Sequence, residues 1–287
     1  NNSMANLKEI RNRIASVSST MQITSAMKMV SAAKLKKAQD AITAMRPYSD
    51  KLTELLQNLS ATLDSDSGSK FSEQRDVKNV LIVAITSNRG LCGAFNSNII
   101  KQATAAASSY DAKVSIVAIG KKANDALSKN FEVISNQSPV FDDLTFDNVA
   151  AIAEMLMEQF ESKTFDKIEV IYNKFKNAAT QEIMTEQFLP IEPLENDTNA
   201  NLDYIFEPSK VEIIETLIPK SLKTQLYKSI RDSFASEHGA RMTAMHKATD
   251  NATELRDQLK LTYNKARQAS ITNEILEIVG GAEALNG

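Results

Sequence analysis

The sequence predicts an α/β chain: a long antiparallel coiled coil of the N- and C-terminal helices with an inserted Rossmann-like α/β domain. Three observations predict it. From Lys220 to Val279 there is no proline and only one glycine, Gly239, and sixty such residues at about 1.5 Å rise make a helix of about 90 Å, wider than a compact domain. Both ends of the chain carry apolar residues at alternating steps of four and three. Between them, short β-branched runs alternate with helical stretches, the grammar of βαβ units.

The N-terminal helix is expected over 4–63. From Ile10 the steps fall on Ile14, Val17, Met21, Thr24, Lys28, Ser31, Leu35, Ala38, Ile42, Met45, Ser49, Leu52, Leu56, Leu59 and Leu63, and only Thr24, Lys28, Ser31 and Ser49 interrupt an apolar seam. A repeat sustained this long predicts a left-handed coiled coil. Pro47 is expected to kink or re-cap it. The partner is the C-terminal helix, 209–285, where Leu222, Leu226, Ile230, Phe234, Met245, Ala248, Ala252, Leu255 and Leu259 keep the same rhythm. Gly239 costs that helix about 1 kcal/mol relative to alanine.

The inserted domain is expected over 76–205. "NVLIVAIT" reads as a buried parallel strand beginning near Val80. The loop "SNRGLCGAFN" leads to a helix from about Ser97 to Tyr110, then come the strand "KVSIVAI", a helix after Gly120, the strand "FEVIS" and a helix from about Phe146 to Ser162. "KIEVIYNKF" and "QEIMTEQFLPI", separated by "KNAAT", read as an antiparallel hairpin that extends the sheet. Polar segments, "DSDSGSKFSEQRD" before and "EPLENDTNANLD" after, close the insertion.

Composition bounds the function. The 287 residues are 43% hydrophobic and 24% charged, enough for one large or two ordinary domains. Aromatics are 6%, tryptophan is absent and methionine numbers 10, a profile suited to helices packed through aliphatic and sulfur side chains. No apolar run approaches the roughly twenty residues that span a bilayer, so membrane association is expected only through partners. The reading takes Met4 as the native start and sets "NNS" aside. The lone Cys92 excludes an internal disulfide and fits a reducing compartment. Residues 5–46 carry eight basic residues and two acidic ones, leaving +6 there and −9 over the rest. Such a helix is a solvated face or seeks an acidic partner. Nucleic acid is not expected, because no aromatic stacking platform accompanies the charge.

No catalytic, cofactor-binding or metal site is legible. "SNRGLCGAFN" stands where a phosphate loop would, but Gly90 and Gly93 do not form G-x-G-x-x-G. The Gly120-Lys121 pair has Ser115 and Lys122 where a Walker loop needs glycine and a hydroxyl. His238 and His246 are eight apart on one helix, about 12 Å along its axis, too far to hold one metal together. Ile271, Ile275, Ile278 and Val279 form an apolar tip flanked by Arg267, Gln268 and Thr272, suited either to packing on the N-terminal helix or to insertion into a ring of other subunits.

The segments "LKEIRNRIASVSSTMQITSAMKMVSAAKLKKAQ", "SNRGLCGAFNSN", "SEHGARMTAMHKATDNA" and "YNKARQASITNEILEIVGGAEAL" closely resemble the gamma subunit family of the F-type ATP synthase, of bacterial type, from Met4 to Leu285. The resemblance implies a central-stalk rotor shaft without its own catalysis or cofactor. It implies as partners the alpha and beta subunits in an alpha-three beta-three hexamer, the epsilon subunit and the membrane c-ring, at the cytoplasmic face of the inner membrane. It implies beta-subunit contact at Arg267, Gln268 and Thr272, with Met27 facing the same region. A hexamer bearing is implied at Ile271, Ile275, Ile278 and Val279, and rotor-ring contact at Tyr204, Phe206 and Glu207. Asn88, Ala94 and Gly239 depart from the family's usual aspartate, glycine and alanine, and the regulatory cysteine insert of chloroplast versions is absent.

Overall fold

The structure, a computed structural model, describes residues 2–61, 70–192 and 210–287. The chain divides into two compact units, Ser31–Arg241 and Asn1–Val30 with Met242–Gly287. Helices α1 (Asn2–Ala61) and α5 (Lys210–Asn286) each contribute to both.

The larger unit is built on a sheet ordered β3-β2-β1-β4-β5. Strands β1 (Asn79–Ile85), β2 (Lys113–Ile119), β3 (Glu132–Asn136) and β4 (Lys167–Asn177) are parallel, and β5 (Thr180–Leu189) runs antiparallel to β4. Helices α2 (Phe95–Ser108), α3 (Lys121–Leu127) and α4 (Phe146–Glu161) make the crossovers. Strand β1 is an unbroken apolar run because both of its faces are covered. Leu81, Val83 and Ile85 join α4, while Val80, Ile82 and Ala84 join α2 and α3. Thr145 caps α4 by accepting the Asn148 N–H at 3.3 Å. The hairpin is tighter than "KNAAT" indicates: Asn177 Oδ1 accepts from Ala179 N and Thr180 N, at 3.0 and 2.9 Å, and turns the chain in two residues.

Two expectations need correction here. Leu222, Leu226 and Ile230 belong to the sheet's core with α4, and Ile218 precedes them at the same spacing. Helical periodicity shows that a face is buried but not what covers it, and α4 alone leaves this side of a parallel sheet uncovered. Pro47 does not re-cap α1, which continues through it as one helix. It lies exposed, and so does Thr43, so the carbonyl to which a residue at 47 would ordinarily donate is on the solvent side.

In the smaller unit α1 and α5 pair antiparallel, since contacts climb along one helix as they descend the other. Arg11 donates to Tyr263 Oη at 2.7 Å, Thr253 to Met21 Sδ at 3.2 Å, and Lys28 Nζ to His246 Nδ1 at 3.1 Å. Thr24 and Thr249 share a hydroxyl bond of 2.8 Å. On α1, Ile10 and Thr24 are buried and Ile14, Val17, Met21 and Lys28 half-buried, matching the heptad. On α5 the seam takes Met245, Ala252 and Leu259, but Leu255 is 41% exposed, and the neighbouring Arg256 is half-buried and donates to Met21 Sδ at 3.4 Å. The register thus favours an arginine stem over a leucine.

Candidate subunit interface

In the larger unit, the loop 86–94 consumes its own polar groups. Asn96 Oδ1 accepts from Ser87 N at 2.9 Å and from Ser87 Oγ at 3.0 Å, and Ser87 Oγ also lies 2.5 Å from Arg89 O. The buried Cys92 Sγ sits beside them, its thiol pushed up by burial. Gly120, at φ 126°, meets the other side of this turn: a Cβ there would lie 2.6 Å from Thr86 O and on top of Thr86 Oγ1. This glycine is required for close backbone approach, the use its place before Lys121 left open.

Against the loop lies α5. Arg241 donates to Gly90 O at 2.8 Å and to Glu237 Oε1 at 2.6 Å, both side chains almost wholly buried. Burial pushes the Glu237 carboxyl up, and Arg241, then Lys34 and Arg89, pull it back. Between them His238 is held neutral, its pKa lowered to about 3 first by burial and then by the Arg241 and Lys34 charges. Its Nδ1 is buried without a hydrogen-bond partner, and its ring stands edge-on to Phe234 at 4.5 Å. Sequence reading missed this cluster, although a Glu and an Arg four apart on a helix are a recognisable pair.

In the smaller unit, α5 buries nothing after Ser270. Ile271 is 49% exposed, Ile275 55%, Ile278 71% and Val279 49%, and Leu276 and Leu285, which the sequence reading passed over, are 63% and 88% exposed. At about 100° per residue Ile271, Ile275 and Ile278 share one face, with Arg267 beside them. Arg267, Gln268 and Thr272 are exposed, and Thr272 Oγ1 donates to Gln268 O at 3.0 Å. Met27 is half-buried and sits near the level of the Lys28–His246 contact, some 30 Å along the helix from Arg267. The structure therefore does not bring Met27 to the other three. Tyr204, Phe206 and Glu207 lie outside the described residues. Among the described residues, no helix is long and apolar enough to cross a membrane.

A chain of this sequence and architecture has known counterparts. The family model described as ATP synthase matches residues 6–285. A relative in Flavobacterium psychrophilum named ATP synthase gamma chain is 76% identical, the match covering 99% of this chain and 100% of the relative. The chain belongs to the ATP synthase gamma chain family. A second gamma chain, from Flavobacterium johnsoniae, is 74% identical with the same coverage. Among solved structures, a chain of the Tetrahymena thermophila mitochondrial ATP synthase central stalk and c-ring is 26% identical, with a TM-score of 0.60 over 79% of this chain and 99% of that one. A chain of the Euglena gracilis mitochondrial ATP synthase is similar in fold, with a TM-score of 0.70, 22% identity and coverage of 98% of this chain and 95% of that one.

Proposed function

We propose that this gamma chain is the central-stalk rotor shaft of an F-type ATP synthase, a non-catalytic subunit at the cytoplasmic face of the bacterial inner membrane. The end of α5 enters the alpha-three beta-three hexamer, and the larger unit works with the epsilon subunit and the c-ring. The single observation that carries the reading is the wholly exposed segment after Ser270, with large apolar side chains on one face. Free in water such a surface is a liability; inside a ring of subunits it is a bearing, and Arg267, Gln268 and Thr272 supply directional contacts at its edge.

The chain's asymmetry does the coupling. A shaft with different faces gives each catalytic subunit a different neighbour at each angle, so rotation changes which conformation of each is favoured. Rotation driven by the ring then carries every site through binding, synthesis and release, and hydrolysis runs the cycle in reverse. The basic residues of α1 suit an acidic surface on a partner subunit.

The test is Arg267→Ala in the assembled complex. Coupled ATPase is expected to fall several-fold while the helicity of the chain is unchanged, because Arg267 is exposed on the helix surface. Unchanged steady-state turnover would count against a beta-subunit contact at this residue.

A further inference from the structure

Within the larger unit, helix α5 touches the sheet in two different ways. From Ile218 to Ile230 the contact is apolar, through side chains four residues apart. From Ser236 to Arg241 it is polar and directed at backbone atoms. Ser236 Oγ donates to Asn173 O on β4 at 3.0 Å, and Asn173 Nδ2 donates to Phe95 O at the start of α2 at 3.2 Å. Gly239 faces the β4–β5 turn so closely that a Cβ would lie 3.0 Å from Ala178 Cα and 3.1 Å from its carbonyl oxygen. Arg241 reaches Gly90 O in the loop after β1, at 2.8 Å. Fewer than two helical turns are thus held at three separate places on the α/β core, one of which, Asn173, is itself tied to the start of α2.

Apolar contact resists separation through the area it buries but fixes no direction for any one group, so it opposes a small turn or slide less sharply than a directed hydrogen bond does. Hydrogen bonds to backbone carbonyls have fixed directions, and a wedged backbone contact cannot rotate past its neighbour. A buried ion pair adds little stability over an apolar pair of equal size. Here Glu237 holds the guanidinium in line with one carbonyl, which gives the pair a positioning task.

We infer that Ser236–Arg241 is the torsional lock that prevents α5 from turning within the α/β core, with Arg241 as the positioning residue and Glu237 as its brace. The inference rests on the rotor-shaft reading, since only a chain that transmits rotation has use for such a lock.

The experiment uses the assembled complex with cysteine-free alpha and beta subunits and a bead attached at Lys129→Cys, an exposed site, while the buried Cys92 is spared. Angular fluctuation of the bead is recorded between steps. Arg241→Gln is expected to widen the angular variance at least twofold, with ATP hydrolysis by the same complex within twofold of the parent. Arg241→Lys, which keeps the charge but loses the planar fork, should widen it less. If Arg241→Gln does not assemble, Arg241→Lys and Ser236→Ala carry the same comparison. Parent-like variance in the assembled variants would overturn the lock, as would a loss of melting temperature or yield without a change in variance. A parent chain that forms no complex would remove the rotor-shaft reading itself, and the lock with it.

Discussion

His238 illustrates how burial converts a titratable side chain into a pH-dependent term. Burial lowers its folded pKa to about 3 from the 6.5 of an ordinary imidazole. In the interval between these values the unfolded chain binds more protons than the folded one, so its contribution is present above the unfolded pKa and is lost as pH falls toward the folded one. Urea unfolding at pH 7 and pH 5 is expected to show a drop from this residue of about 2 kcal/mol. His238→Leu should lose that difference, since it removes both the titration and the unpartnered Nδ1. An equal pH response in the variant would assign the slope to other groups. At Gly120 the prediction is steric. Gly120→Ala places a methyl within 2.6 Å of Thr86 O in a left-handed backbone conformation, and should destabilise by more than about 1–3 kcal/mol, as measured by denaturant midpoint.

At the scale of elements, the Thr24–Thr249 bond ties α1 to α5 inside an apolar seam. Thr24→Val removes this bond while the half-buried Thr249 Oγ1 keeps its donation to Met245 O at 2.8 Å, so the variant is expected to cost about 0.5–1.5 kcal/mol, and the double Val variant should recover most of that loss. A double-mutant cycle with no coupling would show that the bond is not formed in solution. Much of this level was legible in the sequence. The heptad through Ile10, Thr24, Leu35 and Leu52 fell on buried positions because an apolar repeat reports directly which stripe of a helix faces a neighbour. The βαβ order was legible from β-branched runs flanked by helical stretches. What periodicity could not report was the identity of the neighbour, so Leu222, Leu226 and Ile230 were assigned to a helix and not to the sheet. Leu255 lost its place to Arg256 because both fit the spacing and only the opposing Met21 decides between them. The Glu237–Arg241–Gly90 cluster needed a contact across 151 residues of sequence, which no local pattern contains.

At the scale of the whole molecule, the chain has a tightly packed α/β core and a helix end that is exposed throughout among the described residues. That contrast predicts a separation of effects. Deleting residues from Leu276 onward removes only exposed side chains, so the unfolding midpoint of the larger unit should stay within about 0.5 kcal/mol of the parent, while assembly or torque transmission in the complex weakens. Unfolding of the α/β core by this deletion would sink the bearing assignment. The charge distribution points the same way, with +6 gathered in residues 5–46 and −9 spread elsewhere: complex formation should weaken with salt, because attraction to an acidic partner is screened over about 10 Å at 0.1 M ionic strength.

The central claim is that this chain is a shaft for other subunits' catalysis. Native mass spectrometry of the chain coexpressed with alpha and beta subunits, paired with ATP hydrolysis by the chain and by the complex, tests it most directly. One copy per three alpha-beta pairs and hydrolysis by the complex alone are the expected result. A chain that stays apart from the hexamer, or that hydrolyses ATP by itself, would contradict it.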